Sequence, residues 1–432
     1  MKFKIHRGTK EIGGSCVEVL TDTTRILIDC GMPLVATGGG EFDFNNYKDL
    51  GVDELVRDGI LPNVPGLYDC KGINAVVLSH AHLDHYGLFN FVSLDIDIYL
   101  GEATHKIIEL SGIFTPQLIT VARPVYFERE KSFKIGDITI TPYWADHSAF
   151  DSYSFLIEAN GKKLFYSGDF RGHGRKSKVF DWFTHHAPQN VDYLLLEGTS
   201  LGRENMPSKS ESAIETEFVD LFKDSSNINL VYTSGQNIDR LVSLYRACVK
   251  TGKIFVVDVY VAEILSELAK FAKIPYPAKA FKNLRVIFPY FTCRRLKNTG
   301  HEALLYKYKE FIITKDEINA EASNIVMVVR PSMQKDLEKM PSLDGGNIIY
   351  SMWEGYLEKL STKKFINYLT KRNFAFHIIH TSGHADVKAL NKMADALKPK
   401  AIIPIHTFEG NKYAETFKFP VIELSDGEEI TV

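Results

Sequence analysis

Cysteine is scarce and scattered in this chain: five in 432 residues, at Cys16, Cys30, Cys70, Cys248 and Cys293. They are too far apart, and odd in number, for a disulfide framework or a CxxC metal motif, and they read as buried thiols of a reducing compartment. Long apolar runs are missing as well. No stretch approaches the roughly 18 uninterrupted apolar residues of a membrane span, and the opening Met1-Lys2-Phe3-Lys4-Ile5-His6-Arg7 lacks the apolar core of a secretory signal. The expectation is a cytoplasmic protein without a membrane partner. Nor is there an excess of one charge sign. A formal net charge of −3 excludes polyanion binding through bulk charge and leaves only local basic patches. Two segments qualify, one holding Arg171, Arg175, Lys176 and Lys178, the other Arg294, Arg295 and Lys297. The second reads equally well as a solvated face.

What remains is an ordinary globular composition, 45% apolar and 24% charged. A single core seldom grows past about 250 to 300 residues, so this length calls for two domains or one large insertion. Up to about Tyr193–Leu196 the chain is dominated by short apolar or alternating runs with turn signals such as Gly136-Asp137 and Asn160-Gly161, which predicts a strand-rich, mostly antiparallel half. From Ser208 the texture changes. Ser208 with Glu211 reads as a capping box opening a helix through Phe222, and strands and helices then alternate as in βαβ units, with a single helix over 301–312. The last segment predicts a helix over 386–397, a strand over 401–405, and a closing hairpin through Asp426-Gly427.

Histidine is the residue that is concentrated. The run His80-Ala81-His82-Leu83-Asp84-His85 packs four side chains able to bind metal into six positions, where the chain's 14 histidines would put about 0.2 by chance. The apolar segment Ile73–Leu78 before it reads as a buried strand that delivers the motif into the interior. In extended backbone His80 and His82 project to the same side, and a turn then sends Asp84 and His85 elsewhere. Imidazole and carboxylate without thiolate suit zinc, with manganese or iron as alternatives. Further ligand candidates stand at strand ends: Asp146-His147, Gly168-Asp169 and His406.

This series, HAHLDH with the later Asp-His-Ser, the Ser-Gly-Asp after a strand, and Ile28-Asp29-Cys30-Gly31, resembles the motifs of the metallo-β-lactamase superfamily. Glu197 in LLEGT, His384 in TSGHA and His406 in PIHT resemble the three additional motifs of its β-CASP nuclease branch, the branch of RNase J and of the endonuclease of the pre-mRNA 3′-end cleavage complex. The resemblance implies an α/β fold: an αββα metallo-β-lactamase sandwich over 1–199 and 373–432, with an inserted α/β (β-CASP) domain over 200–372. It implies two Zn²⁺ (or Mn²⁺), one held by His80, His82 and His147, the other by Asp84, His85 and His406, with Asp169 bridging and Asp29 supporting the ligand loop. It implies a hydrolase cleaving single-stranded RNA through a two-metal activated hydroxide, with Asp84, His384 and Glu197 in catalysis. His384 would contact the scissile phosphate or protonate the leaving oxygen, and Glu197 would hold its ring. Arg171, Arg175, Ser234, Gln236 and Ser382 are the candidate substrate contacts, Ser234 to Asn237 because they precede a helix N-terminus. A homo-oligomer or an RNA-processing complex is the expected assembly. A His in the last motif favours RNA over DNA in this branch. Arg330-Pro331-Ser332-Met333 stands where bacterial members carry a Gly-Ser-Gln-Gly-Glu type loop, and Thr407 replaces a frequent Gly. The rival readings are a DNA nuclease, a lactone or thioester hydrolase of the same superfamily, which leaves Glu197 and His384 without a purpose, and a non-catalytic scaffold.

Overall fold

The computed structural model describes residues 1–36, 39–116, 118–203 and 208–432. By packing, the chain divides into a first unit of Met1–Ile108, Ile119–Pro207 and Gly383–Val432, and a second of Glu109–Leu118 and Ser208–Ser382.

The first unit is built on two sheets. One runs in the order Glu429–Thr431, Lys2–Arg7, Cys16–Leu20, Arg25–Ile28, Ala75–Val77, Asp97–Leu100, Pro124–Tyr126. The other runs Ala401–Ile405, Tyr193–Glu197, Lys162–Tyr166, Ser152–Ala159, Ile138–Ala145, Phe133–Ile135. The alternating apolar positions Phe3, Ile5, Val17, Val19, Ile26 and Ile28 meet Phe155, Ile157, Leu164, Tyr166, Leu195 and Ile403 in one buried cluster, so the sheets pack face to face. On the far side of the second sheet, Phe165, Leu194 and Leu196 are covered by Phe180 and Phe183 of the helix Ser177–His186 and by Leu390, Met393 and Leu397 of Val387–Leu397. Every residue of Ala75–Val77 is buried, as a strand covered on both faces requires. This is the αββα sandwich.

Each sheet is antiparallel in one half and parallel in the other, not mostly antiparallel. The antiparallel hairpins carry local signals: Asn160 (φ 54°) and Gly161 (φ 72°) form the left-handed pair that a two-residue turn needs between Ser152–Ala159 and Lys162–Tyr166. The parallel pairs, such as Arg25–Ile28 with Ala75–Val77 and Tyr193–Glu197 with Ala401–Ile405, join segments remote in sequence and carry none. For the same reason the last strand, Glu429–Thr431, does not close a local hairpin; it pairs with Lys2–Arg7.

The second unit holds a six-stranded, wholly parallel sheet in the order Leu284–Ile287, Ile254–Asp258, Ile325–Val329, Asn229–Tyr232, Asn347–Tyr350, Ala375–Ile378. Ala375–Ile378 is its edge strand, and the chain rejoins the first unit at Gly383 rather than at residue 373. The cap of the first helix is Ser210, whose side chain accepts from Ala213 N at 3.1 Å, not Ser208. The helix expected over 301–312 is shorter, Ala303–Lys307, followed by a 3-10 turn at Lys309–Phe311. In the second basic segment, Arg295 is spent on the C-terminal carbonyls of the helix Glu102–Phe114, donating to Ile113 O at 2.8 Å and Gly112 O at 3.2 Å. No helix among the described residues is long and apolar enough to cross a membrane.

Glu211 is withdrawn from solvent and meets the fully buried Arg240, whose Nη2 lies 3.1 Å from Glu211 Oε1 and whose Nη1 reaches Ser351 and the carbonyl of Ile379 (3.4 Å). Arg240→Met leaves the carboxylate buried without its cation, and its unfolding free energy in urea should fall by about 3–5 kcal/mol; adding Glu211→Leu should recover most of that loss.

Candidate metal centre

Beyond Ala75–Val77 the chain stays extended and buried through Ser79 and His80, and turns helical at Leu83–Tyr86 with His82 (φ −105°, ψ 143°) at the helix entrance. Extended backbone puts the rings of His80 and His82 together, Nε2 to Nδ1 at 3.2 Å. From the end of the strand Ile138–Ala145, His147 brings its Nε2 to 3.2 Å from the same His82 Nδ1. The helical turn sends Asp84 and His85 the other way. Asp84 Oδ2 lies 3.3 Å from His406 Nε2, and His85 Nε2 lies 3.2 Å from Asp169 Oδ2.

Asp169 is common to everything. Its Oδ2 is also 3.7 Å from His80 Nε2, 4.0 Å from His147 Nε2 and 3.7 Å from His384 Nδ1. Three groups result, each with its donor atoms within 4.8 Å: His80, His82, His147 and Asp169; Asp84, His85, Asp169 and His406; Asp169, Glu197, His384 and His406.

The other ring nitrogen of four of the histidines is tied outward. Nδ1 of His85 donates to Asp29 (2.7 Å) and Nδ1 of His147 to the carbonyl of Gly383 (2.6 Å); Nδ1 of His80 meets Ser79 Oγ (3.0 Å) and Nδ1 of His406 meets Thr199 Oγ1 (2.8 Å). Such outer partners fix the ring and, in a neutral imidazole, the tautomer whose inner nitrogen carries the lone pair. Asp29, buried and left-handed at φ 60°, accepts from Ser79 N, Ser79 Oγ, Tyr166 OH and His85 Nδ1, all at 2.7–2.8 Å. Gly31 lets this loop close on the motif: a Cβ there would stand 1.6 Å from the carbonyl oxygen of Asp84. His406 is left-handed too, at φ 54°, and its N–H donates to Gly8 O at 2.7 Å.

The electrostatics favour a cation. Burial, reinforced by neighbouring imidazoles, pushes His80 and His147 well below the usual histidine range, and burial takes His82 down to about 4, so all three are neutral ligand-ready rings at pH 7. His85 moves the other way: burial opposes its charge, but the carboxylates of Asp169 and Asp29 outweigh that and raise it. Asp84 and Asp169 are held below the carboxylate range against burial, chiefly by His406 and His85. The residues fit a divalent ion on two further counts. Asp169 Oδ1 is buried and has no hydrogen-bond partner, and ligands about 2.0–2.1 Å from a tetrahedral zinc lie about 3.3 Å apart, close to the 3.2 Å from His82 Nδ1 to Nε2 of His80 and of His147.

Glu197 reaches His384 Nδ1 with Oε2 at 3.3 Å and does more than hold that ring. It accepts from Phe170 N and Ala385 N, both at 3.3 Å, and from Thr199 N at 3.1 Å, tying together the residues that follow Asp169 and His384. Burial works against charge on His384, but Glu197 and Asp169 raise its pKa above the usual value.

The expected substrate contacts fare differently. Arg171 is corrected: it is fully buried with Nε 3.6 Å from Asp146 Oδ1, while Asp146 accepts from Arg171 N (2.6 Å) and Gly174 N (2.8 Å), so it braces the loop after Asp169. Arg175 is part-buried on that loop. Ser234 and Gln236 lie in the second unit, where Ser234 Oγ accepts from Gln236 N and Gln236 Nε2 donates to Ser111 Oγ and Tyr260 OH at 2.8 Å. Ser382 is that unit's last residue. Sequence reading missed Thr199, Tyr166 and Ser79, since nothing in the chain marks a hydroxyl as the partner of an imidazole 207 positions away.

The family model described as "Beta-lactamase superfamily domain" matches residues 24–233, and the one described as "Zn-dependent metallo-hydrolase RNA specificity domain" matches residues 363–418. Ribonuclease J of Helicobacter pylori is 22% identical over 412 residues, covering 92% of this chain and 55% of the relative. Transcription termination factor FttA of Methanothermobacter thermautotrophicus is 25% identical over 288 residues, covering 60% of this chain and 42% of the relative. The chain thus spans about half the length of these relatives. The crystal structure of a protein of unknown function from Enterococcus faecalis V583 has the same fold, with a TM-score of 0.79 at 21% identity over 100% of this chain and 99% of the other.

Asp29→Ala strands buried donors on Ser79, Tyr166 and His85. At about 1–3 kcal/mol for each of the four stranded donors, the expected loss in urea or thermal unfolding is about 4 kcal/mol or more, against about 1 kcal/mol for Ser79→Ala.

Proposed function

Because the chain belongs to the metallo-β-lactamase superfamily, in its β-CASP branch, we propose that it is a metal-dependent phosphodiesterase that cleaves single-stranded RNA at a dinuclear zinc centre. The observation that carries this reading is the position of Asp169, one carboxylate shared by two complete donor groups with the His384–Glu197 pair beside them. His80, His82 and His147 would hold one ion, Asp84, His85 and His406 the other, and Asp169 would bridge. The names of the relatives support RNA as substrate, as does the RNA specificity model, whose span includes His384 and His406.

When bound, the ions supply Lewis acidity toward a phosphoryl group and a water acidic enough to attack at neutral pH. The chain does the rest. Desolvation of His80, His82 and His147 keeps their nitrogens deprotonated, and the outer hydrogen bonds hold the rings of His80, His85, His147 and His406 in place before substrate arrives. His384 has a side chain 21% exposed, more open than the buried donors around it. With Nδ1 held toward Glu197, its Nε2 is the atom to bind the scissile phosphate or hand a proton to the leaving oxygen. Glu197 is a positioning residue, steadying that ring and the backbone after Asp169.

The test is a time course on matched single-stranded RNA and DNA labelled at either end, with zinc- or manganese-loaded protein. RNA should be cut, chelation should stop the reaction and added metal restore it. Asp84→Ala should lose cleavage by about 10³-fold or more with its melting transition retained. His384→Ala should lose about 10²- to 10⁴-fold while elemental analysis still finds both ions. Undiminished cleavage by Asp84→Ala contradicts the assignment, and cutting of DNA alone contradicts the choice of RNA.

A further inference from the structure

Phe408, on the segment that presents His406, helps to wall a cavity of about 220 Å³ lined also by Arg7, Glu11, Pro33, Phe42 and Ile60 among others. Its link to the metal centre is direct. Gly8, next to Arg7, accepts the N–H of His406, and Met32, next to Pro33, donates to Leu83 O beside Asp84. Gly13 is wedged between Leu34 and Asp84, a Cβ there lying 2.7 Å from the one and 3.1 Å from the other.

Phe408 is the unusual wall. Single exposed aromatics are common and need no function. This one is 56% exposed two residues after His406, and it also lines a second cavity of about 330 Å³ with Lys10 and Asn411. Its loop is fastened, with Thr407 Oγ1 donating to Gly198 O and accepting from Glu409 N. An exposed ring on a fastened loop with open space beside it has the form of a stacking platform. Facing the same cavity is a carboxylate. The guanidinium of Arg7 is spent on the carbonyls of Ile60 (2.9 Å) and Gly59, and Glu11 Oε1 stands 3.5 Å from Arg7 Nε with its side chain 27% exposed. A carboxylate only accepts hydrogen bonds, and guanine is the base whose Watson–Crick edge offers two adjacent donors.

We propose that this cavity takes a nucleobase of the RNA strand beside the scissile phosphate, stacked on Phe408, and that Glu11 selects guanine there. The proposal rests on the ribonuclease reading. Its chemistry is recognition only; no bond is made or broken in the pocket.

The experiment uses short single-stranded oligoadenylates carrying one guanosine at successive positions, cleaved by the full chain loaded with zinc. Cleavage should peak at one fixed register between guanosine and cut. Phe408→Ala should raise KM by about 5- to 100-fold with a smaller change in kcat, and Phe408→Trp should restore it, because stacking and not volume alone is lost. Glu11→Gln should flatten the guanosine register while the Phe408 dependence persists. Melting curves control for folding, which an exposed phenylalanine should not alter. If the parent cuts RNA with the same KM as Phe408→Ala, the pocket is refuted and the ribonuclease reading stands. Equal cutting at every register, with Phe408 still required, refutes the role of Glu11. A parent that hydrolyses bis(p-nitrophenyl) phosphate but no RNA refutes the ribonuclease reading and the pocket with it.

Discussion

Four donors converge on the carboxylate of Asp29, and the geometry of the candidate metal centre depends on that convergence. Asp29 follows a strand of the first sheet; Tyr166, which donates to it, ends a strand of the second. Ser79 opens the histidine motif, and His85 closes it. One buried anion therefore pins both sheets and both ends of the ligand loop to a common point. Its own backbone is left-handed, a conformation an aspartate adopts at some cost, and the four hydrogen bonds offset it. Remove that anchor and the imidazoles have walls but no fixed direction.

Around this anchor the site concentrates buried charge. Asp169 is buried and Asp84 nearly so, among imidazoles of which His80, His82 and His147 are held neutral by desolvation. Such an arrangement is costly to fold, since uncompensated carboxylates lose their hydration. The compensation visible in the chain is partial: the raised His85 answers Asp29 and Asp169, and His406 answers Asp84. A divalent cation held by these residues would complete it, and metal affinity and fold stability would then be coupled quantities.

Much of this was legible in the sequence where the determinants are local. The six-residue histidine motif, the apolar strand before it, the Asn160-Gly161 turn and the α/β alternation after Ser208 all depend on neighbours in the chain. The failures share a cause. Ser208 and Ser210 are equally good caps by composition, and the choice falls on Ser210 because the helix must place Glu211 against Arg240, 29 positions on. Arg171 reads as a surface cation until Asp146 is found beside it, which only the fold brings about. Thr199 and Tyr166 act through hydroxyls that any threonine or tyrosine possesses, so chain pattern carries no mark of them.

The order of the strands along the chain has a consequence for synthesis. Ala401–Ile405, which pairs with Tyr193–Glu197 and leads into His406, comes after the whole second unit, and Glu429–Thr431 comes later still to pair with Lys2–Arg7. A ribosome delivers residues in sequence, so the emerging chain exposes His80, His82 and His147 long before the last donor exists. The candidate ligand set therefore stays incomplete in the nascent polypeptide until the segment carrying His406 has been made.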